Sequence, residues 1–240
     1  DLHYPLRRQR QMCIRDRVHR ILGRHREDDS RHGWISGLAE QEGERHPTCG
    51  GLRIGKPLRE RGPEERYDDA LEWERDGQYF HYLTKWMHAL STLARVTGES
   101  VYNQWAVELA KTAHARFTYS PPGSRSKRLY WKMSIDLSYP LVTSMGQHDP
   151  IDGLITYLQV QAAAKKFGES AKDNVLTTEI AEMTALCEGM SWTTDDALGI
   201  GGLLSDACRL AQLMSSTNLR EEERLFTLLD DAEVGLKAVV

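Results

Sequence analysis

From Gly77 onward the sequence alternates between two kinds of helical segment, and this alternation limits the available folds more than any short motif does. In 79–96, Tyr79, Leu83, Trp86, Leu90 and Leu93 recur at intervals of four and three. Phe80, Met87 and Ala94 fill a second stripe, and Tyr82, Ala89 and Val96 a third. A helix apolar nearly all round is buried on most sides. Gly98 ends it, and Ser100 opens a helix with one apolar face (Tyr102, Trp105, Leu109, Ala113, Phe117) and one wet face (Asn103, Glu108, Lys111, Arg116). The pairing recurs. Asp149 and Pro150 start a segment carrying Ile151, Leu154, Ile155, Leu158, Ala162 and Phe167, which an amphipathic helix follows over 174–188. Thr194 or Asp195 starts a third, with Ala197, Ile200, Leu203, Leu204, Ala207, Leu210 and Met214, and Asn218 caps its amphipathic partner. With no alternating run long enough for a sheet, the pattern predicts an all-α fold. Its inner and outer layers of helices follow the logic of an α/α toroid, with 79–96, 151–167 and 197–214 more buried than their partners.

Composition excludes several function classes. The chain has 240 residues and a formal net charge of −4, which suits one large or two small domains and gives no reason to expect nucleic acid or an anionic membrane as partner. No run approaches the ~20 apolar residues of a membrane span, and no signal-peptide pattern is visible. Cys13, Cys49, Cys187 and Cys208 show no paired spacing, so a reducing, cytoplasmic setting is the default expectation.

Three stretches divide the chain. Residues 1–17 read as a non-native leader, because Gln11, Met12, Cys13, Ile14, Arg15, Asp16 and Arg17 in succession resemble a translated sequencing adapter; a real basic arm is the alternative. Residues 18–76 read as a short helix and a long loop rich in Gly and Pro, and 77–240 as the helical-hairpin domain. Gly50, Gly51 and Gly55 with Lys56 lack the Walker spacing and a preceding strand, so no phosphate loop and no cofactor are expected.

Polar and aromatic residues gather where the buried helices begin. Glu72, Glu74 and Asp76 precede the first, and Asp149, Asp152 and Asp195 mark the others. Glycoside hydrolysis needs two carboxylates, ~5–5.5 Å apart for retention or ~6.5–9.5 Å for inversion. Acids at helix starts also serve as caps and complement the macrodipole, and Asp149-Pro150-x-Asp152 is a good helix start in its own right. His148 has a proton to shuttle or a hydrogen bond to make. Trp73, Tyr79, Trp131 and Trp192 suit the apolar faces of sugars, or plug the end of a helical core. His81 and His88 are seven apart with no i, i+4 partner, so no metal is expected. Lys132 and Asp136 read as a surface or ion-paired set, and Trp86 and Trp105 as core.

The hairpin repeat over 77–240 resembles the six-hairpin glycosidase-like superfamily. The likeness rests on the first buried helix, DGQYFHYLTKWMHALSTLARVTGE, its partner VYNQWAVELAKTAHARF, and the polar and aromatic residues at one end of the buried helices. Sugar epimerases related to N-acylglucosamine 2-epimerase share that likeness, and no family's catalytic signature is present. The resemblance implies an incomplete toroid of about three hairpins, a fragment cut at both ends. The expected function is a carbohydrate-active, glycosidase-like hydrolase acting on a carbohydrate or other polar small molecule. Asp76, Asp149, His148 and Asp195 are the candidate catalytic groups, and Trp73, Tyr79, Trp131, Gln147 and Trp192 the candidate substrate contacts. A sugar epimerase or isomerase using histidines, and a non-catalytic glycan-binding or scaffold protein, are the rivals.

Overall fold

The computed structural model describes residues 13–124, 126–168 and 175–239. After a π-helical turn at Val18–Leu22 come two short helices, α1 (Glu40–Arg45) and α2 (Asp69–Glu74). Six longer ones follow: α3 (Phe80–Thr97), α4 (Val101–Phe117), α5 (Asp149–Lys166), α6 (Thr177–Cys187), α7 (Ala197–Ser216) and α8 (Glu222–Val239). Strands β1 (Gln78–Tyr79), β4 (Lys132–Met133) and β5 (Pro140–Val142) form one antiparallel sheet in the order β1-β4-β5. Strands β2 (Thr118–Tyr119) and β3 (Arg128–Leu129) form another. α3 packs on α4, α5 on α6 and α7 on α8, while α3, α5 and α7 touch in series.

The all-α toroid is overturned. Two sheets are built into the chain, and nothing among the described residues closes the helices into a ring. The strands are two or three residues long, too short to leave a period of two in the sequence. They form because buried backbone must find partners. Phe80 N donates to the Trp131 carbonyl (3.2 Å), Trp131 N to Val142 (3.2 Å) and Tyr130 N to Phe117 (2.9 Å). Gly77 lets the strands close, since with φ of 150° a Cβ there would meet the Met133 carbonyl oxygen at 2.8 Å.

The expected order of burial holds for α5 over α6 and for α7 over α8, but α4 is more buried than α3. The cause is the N-terminal segment, which lies over α4. Trp105 Nε1 donates to the Arg45 carbonyl (2.8 Å), Thr48 Oγ1 to Trp105 (2.8 Å) and Thr112 Oγ1 to Cys49 (2.9 Å). Val18, Leu22 and Leu52 join the same core as Phe80, Leu83, Met87, Phe117, Ile151 and Leu154. Each such fully buried side chain is worth about 1.5–3 kcal/mol. Ile14 also packs against this core, so the expected 1–17 leader touches the body; residues 1–12 lie outside the described residues.

The long loop is fixed by side chains reaching far along the sequence. Gln78, fully buried, accepts from Leu52 N (2.8 Å) and donates to Gly50 (3.0 Å) and Ile135 (2.7 Å) carbonyls. Arg61 Nη2 donates to the Leu141 carbonyl (2.6 Å), and Tyr139 OH to that of Arg61 (2.8 Å). No helix among the described residues is long and apolar enough to cross a membrane.

Candidate functional site

The β1–β4 pairing sets Tyr79 opposite Lys132 and so draws aromatic side chains from three parts of the sequence together. The Trp73 and Trp131 rings meet edge to face at 5.2 Å, and Tyr79 and Trp131 at 5.4 Å. His81 lies 4.6 Å from Tyr82 and stacks near Trp131 at 6.1 Å. Tyr79 is buried, Trp131 half-buried, and Trp73 and Tyr82 are exposed. Beneath them Lys132 is fully buried. Its Nζ reaches the Glu72 carboxylate at 2.8 Å and donates to the carbonyls of Glu72 (2.7 Å) and Arg75 (2.9 Å). It lies 4.9 Å from the Tyr79 ring centre. Burial lowers the Lys132 pKa, against the pull of Glu72.

His81 links this cluster to an acidic one. Burial pushes its pKa down to about 4, so it is neutral, and it feels the opposed charges of Asp152 and Lys85. Asp152, on the first turn of α5, is almost fully buried. It accepts from Thr84 Oγ1, from Lys85 Nζ at 2.9 Å and from Arg209 Nη1 at 2.8 Å. Burial opposes its ionisation, but Lys85 and Arg209 hold its carboxyl below the usual range. Two further carboxyls respond to that fixed charge. Burial and then Asp152 push Asp149 up to about 7, against a backbone hydrogen bond from Gly146. Burial and Asp152 push Asp206 up to about 7 as well, although Arg209 Nη1 lies 2.9 Å from its Oδ1. The result is one ionised carboxylate flanked by two that hold protons near neutral pH, an arrangement suited to acid–base chemistry.

Asp149 and Asp152 sit one turn apart on one face of α5, a spacing that puts Cβ atoms about 5–6 Å from each other. Asp149 Oδ2 is buried without a hydrogen-bond partner, and the backbone hydrogen bond on its carboxyl comes from Gly146, which lies before α5. Gly146 covers it with bare backbone, since a Cβ there would fall 2.6 Å from that oxygen. The capping role that the sequence offers for Asp149 and Asp152 is thus not the one they take.

Other expected residues go elsewhere. Asp76 is fully buried, with Arg53 Nη1 at 2.9 Å, Arg26 Nη1 at 3.4 Å and the N–H groups of Gly55 (2.8 Å) and Gly77 (3.0 Å) on its carboxylate. Its role is to fasten the long loop. Asp195 is exposed, and its neighbour Asp196 caps α7 by accepting from Gly199 N at 2.7 Å. Trp192 is core, with its N–H on Asp231 Oδ2 at 2.8 Å. His148 Nε2 lies 2.8 Å from the Trp192 carbonyl, and Gln147 Nε2 donates to that of Thr193 at 2.9 Å, so both tie the start of α5 to the turn before α7. Trp73, Tyr79 and Trp131 do come together, and Asp149 lies beside Asp152.

Asp206, Arg209, His81 and Lys132 are the groups that the sequence reading passed over as site residues. An Asp and an Arg three apart inside an apolar helix were a usable signal for the first two, because unpaired charges are almost never buried. Cavities of about 650 Å³, beside Arg26, Arg53 and Lys56, and about 500 Å³, beside His46, Tyr102 and Trp105, are not lined by these acids. Burial holds the Cys187 thiol near 12 and the Cys49 thiol, also facing Glu108, near 12, which disqualifies both as resting nucleophiles. Comparison of the chain with protein-family models, with curated proteins and with solved structures finds no match.

Proposed function

We propose that the chain is a carbohydrate-active, glycosidase-like hydrolase in which Asp149 is the general acid. The observation that carries this reading is a buried carboxyl with one oxygen unpartnered, protonated up to a pH of about 7, one helical turn from a carboxylate kept ionised. Asp149 would protonate the leaving oxygen. Asp152 has its oxygens occupied by Thr84, Lys85 and Arg209, so it would act as a fixed negative charge facing the oxocarbenium-like transition state. Asp206, its proton held loosely near neutrality, is the remaining carboxyl able to serve as base. Trp73, Trp131 and Tyr82 offer the partly exposed rings on which a sugar stacks. Free thiols at Cys13, Cys49, Cys187 and Cys208 support a reducing, cytoplasmic setting.

The epimerase reading is weaker, because His81 and His88 share one helix and His148 is engaged with the Trp192 carbonyl. The glycan-binding reading is favoured by one observation, the pair of rings at Trp73 and Trp131. A panel of aryl glycosides and oligosaccharides separates the readings. Asp149→Asn should lower turnover about 10²–10⁴-fold with the fold retained, while Asp76→Asn should act on stability. Sugar binding that needs Trp131 but no turnover by the wild-type chain would replace the hydrolase with a binding protein.

A further inference from the structure

The N-terminal segment brings a second set of chemically distinct side chains together, well separated in sequence from the acids of α5 and α7. His46 ends α1, Cys49 follows it by three residues in a tight turn, and Glu108 projects from the middle of α4. One nitrogen, one sulfur and one carboxylate oxygen from these three lie within 4.8 Å of one another. His46 Nδ1 is already 2.5 Å from Glu108 Oε1, and Thr48 Oγ1 donates to Glu108 Oε2 at 3.3 Å.

We propose that His46, Cys49 and Glu108 form a binding site for a zinc-type divalent cation. The donor set decides the class of ion. Magnesium and calcium take oxygen ligands, whereas imidazole with thiolate and one carboxylate suits a borderline-soft ion such as Zn²⁺. Tetrahedral bonds of about 2.0–2.3 Å place ligand atoms roughly 3.5 Å apart. The His46–Glu108 contact of 2.5 Å therefore opens by about an ångström, and the thiol starts no more than 4.8 Å from either partner, within reach of side-chain rotation. Uptake forms bonds from the metal to N, S and O, with imidazole bound as the neutral base, and releases the thiol proton to solvent.

The backbone of the site is held before any ion arrives. The hydrogen bonds from Trp105 to Arg45, Thr48 to Trp105 and Thr112 to Cys49, of 2.8, 2.8 and 2.9 Å, fasten the His46–Cys49 turn to α4. The His46 side chain is 44% exposed and lines the 500 Å³ cavity, which gives an ion a route in and leaves a fourth position for water. Three protein ligands and one open position match the composition of zinc sites that keep a water. Glu108 faces this turn, while Asn103 and Ala110 of the same helix bond to Val160 and Tyr157 of α5, so the site is independent of the acid cluster.

The test uses the full chain, stripped of metal and titrated with zinc chloride by calorimetry, with cobalt chloride as the spectroscopic probe. The wild type should bind one Zn²⁺, gain thermal stability on binding, and show a sulfur-to-cobalt charge-transfer band in the near ultraviolet. Cys49→Ala and Glu108→Gln should each weaken zinc binding about tenfold or more, and Cys49→Ala should abolish the band. Cys208→Ala, at an exposed thiol, should change neither. Absence of binding by the wild type, a cobalt complex without the sulfur band, or equal affinity in Cys49→Ala and wild type overturns the site. The cobalt spectrum needs no variant, so it decides the matter even where a substitution prevents folding.

Discussion

A carboxyl that keeps its proton in the fold loses that advantage once the unfolded chain ionises more readily, and Asp149 is such a group. Its pKa rises from 3.8 to about 7 on folding, through burial and then the charge of Asp152. Between those values the unfolded state binds fewer protons than the folded one, so the Asp149 contribution to stability is fully present below about pH 4 and declines as pH rises to about 7. The amount at stake is on the order of a few kcal/mol. Asp149→Asn removes this term. Thermal unfolding as a function of pH should show a variant more stable than wild type above pH 7 and a flatter profile below it; parallel profiles would mean that Asp149 titrates normally. The same proton makes Asp149 a useful acid, so stability and turnover should respond oppositely to this one substitution. Asp149 was legible in the sequence as a polar group at a helix start, but its pKa was not. That shift comes first from burial and then from the charge of Asp152, which Lys85 and Arg209, 64 residues before and 60 after Asp149, hold in place. Asp76 read as its equal and is consumed by Arg53 and Arg26, a pairing that no local pattern encodes.

At the scale of elements, helix periodicity exposed the long helices and concealed what joins them. Apolar stripes told where α3, α5 and α7 run, yet the cap of α7 is Asp196, one residue past the later of the two starts, Thr194 and Asp195, that the pattern allowed. Asp196→Ala should cost about 1 kcal/mol by chemical denaturation, whereas Asp195→Ala should fall within about 0.5 kcal/mol of wild type; the reverse order would return the cap to Asp195. The two sheets left no trace in the sequence, because a strand of two residues has no period. Their stability comes instead from a buried cation, Lys132, which the sequence left as either a surface residue or one half of an ion pair. Lys132 holds the Glu72 carboxylate at 2.8 Å and the last carbonyls of the α2 region, and thereby docks α2 on β4. Lys132→Met fits the space but takes the ammonium from the Arg75 carbonyl and, among the described residues, leaves the Glu72 carboxylate with Arg61 alone, at 3.0 Å. A loss of about 3–5 kcal/mol is expected, accompanied by a change in the fluorescence of Trp73 and Trp131, whose rings stand on that junction. A variant as stable as wild type would show that the ammonium contributes nothing net beyond the packing of its stem.

For the whole molecule, the question is what makes three helix pairs one body, and the polar answer is Arg209. Its guanidinium, on α7, bonds to one acid of its own helix and otherwise to α5. Nη1 donates to Asp152 (2.8 Å) and Asp206 (2.9 Å), Nη2 to Thr156 Oγ1 (2.6 Å) and Gln159 Oε1 (2.8 Å), and Nε to Gln159 (3.0 Å). Gln159 in turn meets His88 Nδ1 at 3.1 Å, and Asp152 meets Thr84 and Lys85, so α3, α5 and α7 share one network. Arg209→Met keeps the apolar stem and removes the fork. Among the described residues, Asp206 is then left with no ion-pair partner and Asp152 with Lys85 alone. Removing one partner of a buried ion pair costs about 3–5 kcal/mol, which for a chain of this length is a drop in melting temperature of roughly 10 °C. The cost should depend on pH in a set direction. As pH falls below the folded pKa of Asp206, about 7 in the wild type, its carboxyl takes a proton and no longer needs the cation, so the gap between variant and wild type should narrow toward acid. Adding Asp206→Asn should recover part of the loss above pH 7, because it removes a carboxyl whose ionisation Arg209 no longer favours. If the double variant instead loses the sum of the two single losses at every pH, the network is not coupled. The junction of α3, α5 and α7 would then be held by its apolar contacts alone.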